Sequence, residues 1–281
     1  MRRALFYSEE GGRCHCQLCH HGCVIDGGQN GWCGVRRNLG GVLYAESYGQ
    51  VSSLAMDPIE KKPLRRFYPG SHILSVGSYG CNMNCAFCQN DTISQARPPT
   101  ETIPPNRLVE LAAETPGNIG VAFTYNEPLV GIEYILDTAP LLRRRGLKVV
   151  LVTNGMILSE PLETLLPFID GMNIDVKAFT PVFYRKHGGD LDTVKHTVER
   201  AATSCHVEVT TLIIPGENDG AEEMSDLARW LESISPDIPL HLSRFFPRRK
   251  MSSTPVTPAM TLYKLKELTE EFLEYVFLGN M

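Results

Sequence analysis

Apolar, β-branched runs alternate with amphipathic segments along the chain after residue 70. The apolar runs predict strands at Ile73–Ser78, Ile119–Thr124, Lys148–Thr153, Gly171–Asp175, His206–Ile214 and Leu240–Phe245. Helical periodicity predicts helices at Asn106–Glu114, Val130–Arg145, Glu160–Leu166, Asp192–Ser204, Ala221–Ile234 and Thr261–Phe277. This alternation indicates parallel βαβ units with right-handed crossovers. The predicted fold is α/β, a partial (β/α)6 TIM-like barrel that stays open.

The first 68 residues show a different pattern. Alternating apolar residues between Gly41 and Ser53 predict a hairpin or two short strands. Prolines at positions 58 and 63 argue against regular structure after it, and Pro69-Gly70 marks a turn. We therefore expect a small cysteine-rich segment at residues 1–68 and the barrel at residues 69–281.

Composition narrows the functional classes. With 27 basic and 32 acidic side chains, the net charge of −5 argues against a nucleic-acid-binding protein. No apolar run approaches the 18 or so residues of a membrane span, and the start of the chain is too short and acidic for a signal peptide. We expect a cytoplasmic protein, in which the nine cysteines are metal ligands rather than disulfides.

Three cysteines directly follow the first predicted barrel strand. Cys81, Cys85 and Cys88 have the spacing C-x3-C-x2-C. Three thiolates can hold a [4Fe-4S] cube and leave its fourth iron open, as a catalytic metal site keeps an open position. A structural zinc site or three buried thiols are the alternatives, but no fourth zinc ligand lies nearby in the sequence.

A second cysteine set lies in the N-terminal segment. Cys16, Cys19, Cys23 and Cys33 form C-x2-C-x3-C-x9-C, which can close a tetrahedral zinc site or hold a second iron–sulfur cluster. A segment this small needs a bound metal to stay folded, which favours both of these over free or redox-active thiols.

Polar residues follow three further predicted strands. They are Asn126 and Glu127 after the second strand, Thr153 and Asn154 after the third, and Asn173, Asp175 and Lys177 at the fourth. In β/α barrels the functional groups lie at the carboxyl ends of the strands. Acidic, amide and basic groups at one end suit a ligand with ammonium, carboxylate and hydroxyl groups.

The cysteine spacing, with Phe87 before the third cysteine, resembles the signature of radical S-adenosylmethionine (SAM) enzymes. Over nearly its full length the chain resembles the radical SAM component of the AmmeMemoRadiSam system, a relative of the pyruvate formate-lyase activating enzyme. The motifs that carry this resemblance are Gly31–Asn38, Met56–Leu64, Phe67–Ser71, Cys81–Asn90, Phe123–Pro128, Thr210–Asn218 and Gly279–Asn280.

The resemblance implies roles for individual residues. Cys81, Cys85 and Cys88 would bind the [4Fe-4S] cluster. The remaining predicted contacts are to SAM. The backbone near Phe87 would contact the adenine, and Glu127 with the neighbouring Asn126 would contact the methionine ammonium. The methionine carboxylate or the ribose would be contacted by Thr153, Asn154, Asp175 and Lys177. Phe246 aligns with a histidine that related enzymes place near the adenine, so the resemblance implies that the imidazole contact is lost and that stacking of the phenyl ring replaces it.

The resemblance also implies the reaction. An external one-electron donor of the flavodoxin or ferredoxin type reduces the cluster, and reductive cleavage of SAM yields a 5′-deoxyadenosyl radical that abstracts hydrogen from a protein or peptide, as in glycyl-radical activases. The alternative enzymatic interpretation is radical modification of a small molecule or RNA. The third interpretation is a non-catalytic iron–sulfur module for electron transfer or scaffolding, which the polar residues at the strand ends disfavour.

Overall fold

The computed structural model describes residues 1–281 and contains sixteen strands and eight α-helices. The strands are β1 (Arg2–Arg3), β2 (Tyr7–Glu10), β3 (Arg13–Cys16), β4 (Val24–Ile25), β5 (Arg36–Leu39), β6 (Val42–Ala45), β7 (Gln50–Val51), β8 (Ser53–Pro58), β9 (His72–Gly77), β10 (Glu101–Thr102), β11 (Asn118–Phe123), β12 (Lys148–Thr153), β13 (Gly171–Asp175), β14 (His206–Ile213), β15 (Leu240–Arg244) and β16 (Val276–Gly279).

The helices connect the later strands. They are α1 (Asp91–Ser94), α2 (Pro105–Glu114), α3 (Ile132–Arg144), α4 (Ser159–Leu165), α5 (Pro181–Lys186), α6 (Leu191–Ala202), α7 (Ala221–Ile234) and α8 (Ala259–Thr269). The longest of them, α7, has 14 residues, and no helix has the length and apolar character needed to cross a membrane.

The main sheet has eight strands in the order β8-β9-β11-β12-β13-β14-β15-β16. β8 is antiparallel to β9, and every other neighbouring pair is parallel. Helical segments follow each parallel strand from β9 to β15, which gives six βα units in sequential order. β8 and β16 are the two edges and do not pair with each other, so the predicted α/β fold with an open sheet is confirmed.

The C-terminal part differs from the prediction. The helix predicted at Thr261–Phe277 ends at Thr269, and Val276–Gly279 forms β16 instead. The free edge of β15 explains the difference, because β16 pairs with it and the Leu240 N–H donates to the Tyr275 carbonyl at 2.9 Å. Tertiary pairing here overrides the local helical pattern.

β8 was also not predicted, because prolines argued against it. Pro58 is the last residue of β8, on the edge of the sheet, where a missing N–H costs no ladder hydrogen bond. β8 pairs with β9 along its whole length. Residues 59–67 then turn into the barrel, where Ile59, Leu64 and Phe67 pack against Ile73 and residues of β11 and β12.

A buried carboxylate fixes this inner segment. Glu208 of β14 is fully buried and accepts hydrogen bonds from the backbone N–H groups of Arg65 and Arg66 at 3.0 and 2.7 Å. The ring nitrogens of His206 and His241 donate to the same carboxylate at 2.9 and 2.6 Å. His241, which had no assigned role, therefore belongs to the internal packing of the barrel.

The first 52 residues contain two three-stranded antiparallel sheets, β1-β6-β5 and β2-β3-β4, and β7, which pairs with the later strand β10. They are attached to the barrel by a buried ion pair between Arg36 and Glu133 of α3, 2.9 Å apart. The Leu158 N–H, just before α4, donates to the Leu18 carbonyl at 3.0 Å. Since residues 53–67 pack with the barrel, the predicted boundary at residue 68 lies within its structure; a separately folding N-terminal unit stays a prediction.

Candidate functional site

A cavity of about 320 Å³ lies at the carboxyl ends of the parallel strands. The three cysteines that follow β9 line it together with residues from the ends of β11, β12, β13, β14 and β15. The predicted site residues on its wall are Cys81, Cys85, Cys88, Phe87, Asn126, Glu127, Thr153, Asn154, Asp175 and Lys177. The structure therefore brings residues from positions 81 to 177 to one site, as the strand-end rule for β/α barrels predicts.

The loop that carries the cysteines is held by hydrogen bonds to its backbone. The Asn126 side chain accepts from the Ser78 N–H at 2.9 Å and donates to the Gly80 carbonyl at 3.1 Å. From the other side, the Arg249 guanidinium donates to the Cys85 carbonyl at 2.6 Å. The second amide hydrogen of Asn126 donates to the Glu127 carbonyl, so the contacts of Asn126 position the loop.

Burial shifts the pKa of two of the three cysteine thiols. Burial raises the pKa of Cys85 to about 11, although Lys177 opposes the shift. Burial also raises the pKa of Cys81 well above its usual value, and the negative charge of Glu127 adds to this effect. Both side chains are therefore protonated thiols near neutral pH, and a metal that binds them must displace the protons.

Glu127 is the buried carboxylate of the cavity. Its Oε1 accepts from Thr153 Oγ1 at 2.6 Å and from the Leu129 N–H at 3.0 Å, while Oε2 accepts from the Asn154 N–H at 2.8 Å. Burial raises its pKa to about 7, although these three hydrogen bonds oppose the shift. A carboxylate has about four acceptor positions, so one on Oε2 is left for a ligand.

Asp175 and Lys177 form an ion pair on the same wall, with Nζ 3.0 Å from Oδ2. Burial opposes the charge of Lys177, but the carboxylate of Asp175 outweighs it and raises the pKa of the lysine. Asn173, two residues earlier, does not reach the cavity. Its amide donates to the Pro63 carbonyl at 2.8 Å and accepts from Thr210, which places it in the interior of the barrel.

The two predicted aromatic residues have different surroundings. Phe87 is buried between the rings of Phe183 and His187, with centroid distances of 5.9 and 5.2 Å, and it lines the cavity. Phe246 does not line the cavity, is 41% exposed, and lies below the Arg244 guanidinium. Phe246 lies two residues after the end of β15, and Ser243 is the β15 residue on the cavity wall, so the contact of Phe246 with the adenine stays a prediction.

Another group of cavity residues was not predicted. Lys61 and Lys62, which follow β8, line the cavity beside Tyr125, which follows β11. Lys62 Nζ lies 2.8 Å from Asp57 Oδ2, and the Tyr125 hydroxyl donates to the same oxygen at 2.6 Å. The sequence signal was the Met56–Leu64 motif, which carries the family resemblance but had no assigned role.

A sequence model of the radical SAM superfamily matches residues 75–231, which is more than half of the chain. The chain belongs to the radical SAM superfamily. The match extends from β9 to α7 and contains the three cysteines of the cavity with every predicted polar contact on its wall. Members of this superfamily are generally enzymes, and they use a [4Fe-4S] cluster and SAM.

Individual relatives of this radical SAM protein extend beyond the matched core. It is 40% identical over 288 positions to the uncharacterized protein MJ0808 of Methanocaldococcus jannaschii, an alignment that covers 100% of this chain and 86% of the relative. A domain of the pyruvate-formate lyase-activating enzyme from Bacteroides vulgatus superimposes with a TM-score of 0.51 at 16% identity, covering 57% of this chain and 99% of that domain.

SuiB of Streptococcus suis, solved with its precursor peptide SuiA, has a TM-score of 0.56 at 14% identity and covers 72% of this chain and 47% of that one. At such low identities the two structural similarities show a shared fold. The 40% identity to MJ0808, by contrast, spans the N-terminal cysteine segment as well as the barrel.

The residues of the cavity fit the cofactors of the superfamily. The cysteine loop supplies three thiols and no fourth, on a wall shared with a carboxylate and an ammonium group. No three His, Cys, Asp or Glu side chains in the structure are arranged round a single metal ion. A cube does not require this arrangement, because each cysteine binds a different iron and the thiols stay apart.

The N-terminal cysteines lie together beside the barrel loop of this radical SAM protein. Burial raises the pKa of Cys19 to about 12, and the neighbouring Cys16 and Cys33 add to the shift. Burial likewise raises the pKa of Cys33 to about 11. Cys23 Sγ accepts from the Trp32 N–H at 3.4 Å. The four cysteines are not arranged round a single ion, so their metal stays a prediction.

Proposed function

We propose that this protein is a radical SAM enzyme of the glycyl-radical-activase type, which abstracts hydrogen from a protein or peptide. Cys81, Cys85 and Cys88 would hold the [4Fe-4S] cluster. The observation that carries the proposal is that these three thiols and the buried carboxylate of Glu127 line one cavity. The loop offers no fourth thiol, so one iron would be left for the amino and carboxylate groups of SAM.

When bound and reduced, the cluster and SAM supply cleavage of a sulfonium C–S bond, which yields methionine and a 5′-deoxyadenosyl radical that takes a hydrogen atom from the substrate. The protein supplies binding, orientation and electrostatics. Glu127 would accept a hydrogen bond from the SAM amino group at its unused Oε2 position. Donation of this N–H would favour the ionised carboxylate, which burial alone disfavours.

Lys177 would balance the SAM carboxylate, and Asp175 would accept from a ribose hydroxyl. Thr153 and the backbone of Asn154 already donate to Glu127, which supports a positioning role for both. The Asn154 amide also donates to the Asn82 side chain at 2.9 Å, next to Cys81. This chain of hydrogen bonds would keep the SAM-binding carboxylate at a fixed distance from the cysteine loop.

The proposed substrate class and partners are supported by the comparisons and the sequence motifs. The fold similarity to the activating enzyme, and to SuiB with a bound precursor peptide, supports a protein or peptide substrate. The motifs quoted above support the AmmeMemoRadiSam branch. We further propose an external one-electron donor of the flavodoxin or ferredoxin type and a cytoplasmic location, in which nine free cysteines would stay reduced.

The cluster assignment is tested by replacing the cysteines one at a time with alanine. After anaerobic reconstitution, Cys81→Ala, Cys85→Ala and Cys88→Ala should each lose the broad visible absorbance and the release of 5′-deoxyadenosine from SAM. Cys205→Ala is the matched control, because Cys205 precedes β14 at the opposite end of the strands. Full SAM cleavage by any of the first three variants would contradict the assignment.

The substrate class needs a separate experiment. Cell protein labelled with α-deuterated glycine is incubated with the reconstituted enzyme, reductant and SAM, and 5′-deoxyadenosine is examined by mass spectrometry. Transfer of deuterium from the protein fraction supports hydrogen abstraction from a glycine residue. Unlabelled 5′-deoxyadenosine at full yield contradicts the activase proposal but leaves SAM cleavage intact.

A further inference from the structure

The β8 side of the cavity carries a basic wall, formed by Lys61, Lys62 and Tyr125. None of its residues belongs to the predicted SAM contacts. Asp57 lies behind it, with Oδ2 2.8 Å from Lys62 Nζ and Oδ1 3.6 Å from Lys61 Nζ. Two lysines against one carboxylate leave a net positive charge beside the site of the proposed radical chemistry.

Lys62 has unused hydrogen-bond donors. Its side chain is only 3% exposed, and its one side-chain hydrogen bond goes to Asp57. An ammonium group has three donors, so two are left, and a buried charged donor without an acceptor is costly. Asp57 Oδ2 already accepts from both Lys62 and Tyr125. Since Lys62 lines the cavity, a molecule bound there can supply acceptors for the two remaining donors.

The basic wall is also rigid. Tyr125 has a φ of 72°, a strained conformation for a bulky residue, and its carbonyl accepts from the Asn90 side chain at 2.8 Å. Its ring lies 4.4 Å from Lys62 Nζ, within the range of a cation–π contact. Strain of this kind is typical of sites where a group is held in place for function. The ring and the carboxylate together fix the ammonium in position before any ligand arrives.

We propose that Lys62, assisted by Lys61, binds a carboxylate group of the substrate while SAM occupies the Glu127 side of the cavity. A carboxylate supplies the oxygen acceptors that Lys62 lacks and neutralises the excess charge. This inference rests on the proposed function and adds the chemical class of the substrate. A free acid and an acidic side chain of a peptide are the two sources of such a carboxylate.

Two probes distinguish these sources: succinate, and a terminally blocked peptide with a single glutamate. Binding to the reconstituted, SAM-saturated, unreduced protein is followed by ligand-observed NMR, with succinamide as the neutral match for succinate. Lys62→Gln should weaken binding of the probe about tenfold to hundredfold, the usual contribution of a hydrogen bond to a charged group. Lys264→Gln, on the exposed face of α8, is the control and should bind normally.

Lys62→Gln leaves Asp57 without its main partner, which can impair folding. The double variant Asp57→Asn/Lys62→Gln removes both charges and serves as the second test of lost probe binding. Equal binding of succinate and succinamide, no binding of either acidic probe, or full binding by the double variant would overturn the inference.

SAM affinity is measured separately for every protein in the series. If the protein binds SAM normally but its binding of the probes does not depend on Lys62, only this inference is contradicted. Probe binding that depends on Lys62 in a protein that does not bind SAM supports the basic wall and contradicts the proposed function.

Discussion

Replacing Glu127 with glutamine tests the SAM site without touching a cluster ligand. The carboxylate accepts three hydrogen bonds, two at Oε1 and one at Oε2. A glutamine oxygen in the Oε1 position can keep the bonds from Thr153 and Leu129. Its amide group then faces the Asn154 N–H, a donor against a donor, and the acceptor proposed for the SAM amino group is gone.

The expected loss follows from these contacts. A hydrogen bond to a charged group contributes about 1.5–3 kcal/mol, which corresponds to roughly tenfold to hundredfold weaker SAM binding. Loss of the Asn154 bond costs about 1–3 kcal/mol of folding stability at most. We therefore expect unchanged iron content, a small fall in stability and a large fall in SAM affinity.

Titration calorimetry on the anaerobic, reconstituted protein measures the effect, and its pH dependence gives a second criterion. Burial raises the pKa of Glu127 to about 7 in the absence of ligand, so the carboxyl group is protonated below that pH and ionised above it. SAM affinity of the unaltered protein should therefore rise between about pH 6 and 8. The glutamine variant has no such group and should lack this component.

Thr153→Val is the matched control, because it removes one hydrogen bond to Glu127 and keeps the carboxylate. It should weaken SAM binding by much less than Glu127→Gln. Unaltered SAM affinity in Glu127→Gln, or the same pH profile in both proteins, would refute the proposed contact with the SAM amino group and leave Glu127 as a structural residue of the loop.

Two further predictions concern the N-terminal cysteines and the barrel interior. Replacing Cys19 and Cys23 with serine should expose residues 10–40 to protease and spare the barrel cluster. Metal analysis of the unaltered protein should find about one zinc with about four irons or, for a second cube, about eight irons. A double variant with unchanged metal content and protease resistance would show that these cysteines are not ligands. Burial opposes ionisation of Glu208, but its hydrogen bonds from His206, His241 and Arg66 outweigh it and lower its pKa to about 2. The stability that Glu208 contributes is therefore present above its usual pKa of 4.5 and is lost as the pH falls towards about 2. In urea titrations at neutral pH, Glu208→Gln should lower the free energy of unfolding by about 3–5 kcal/mol, and the variant should lose this acid dependence. An identical acid profile in both proteins would contradict this role of Glu208.

The sequence predicted the features that depend on local patterns. The cysteine loop is a short motif, and the alternation of strands and helices placed Glu127, Asp175 and Lys177 at one end of the barrel before any contact was known. The strand-end rule is topological, so it does not require knowledge of side-chain packing. It holds here for residues almost a hundred positions apart.

The features that the sequence did not predict depend on distant partners. Asp57 and Tyr125 are 68 positions apart, and nothing local indicates that one hydroxyl and one ammonium converge on the same carboxylate. Arg249 contacts a carbonyl 164 positions earlier. The end of β15 was a different difficulty: the strand ends at Arg244, and the sequence did not indicate that Ser243 lies on the cavity wall.

The close packing of Gly80 has a consequence for the order of assembly. A side chain there would lie 2.5 Å from Val35 and 2.9 Å from the Cys33 carbonyl, so the N-terminal segment packs directly on the residue before Cys81. Its other anchors are Glu133 and Leu158, made much later during synthesis. The cysteines that leave the ribosome first therefore reach their final environment only after half of the barrel has formed. If both cysteine sets bind metal as proposed, a metal delivered before these contacts form would meet an unfinished site.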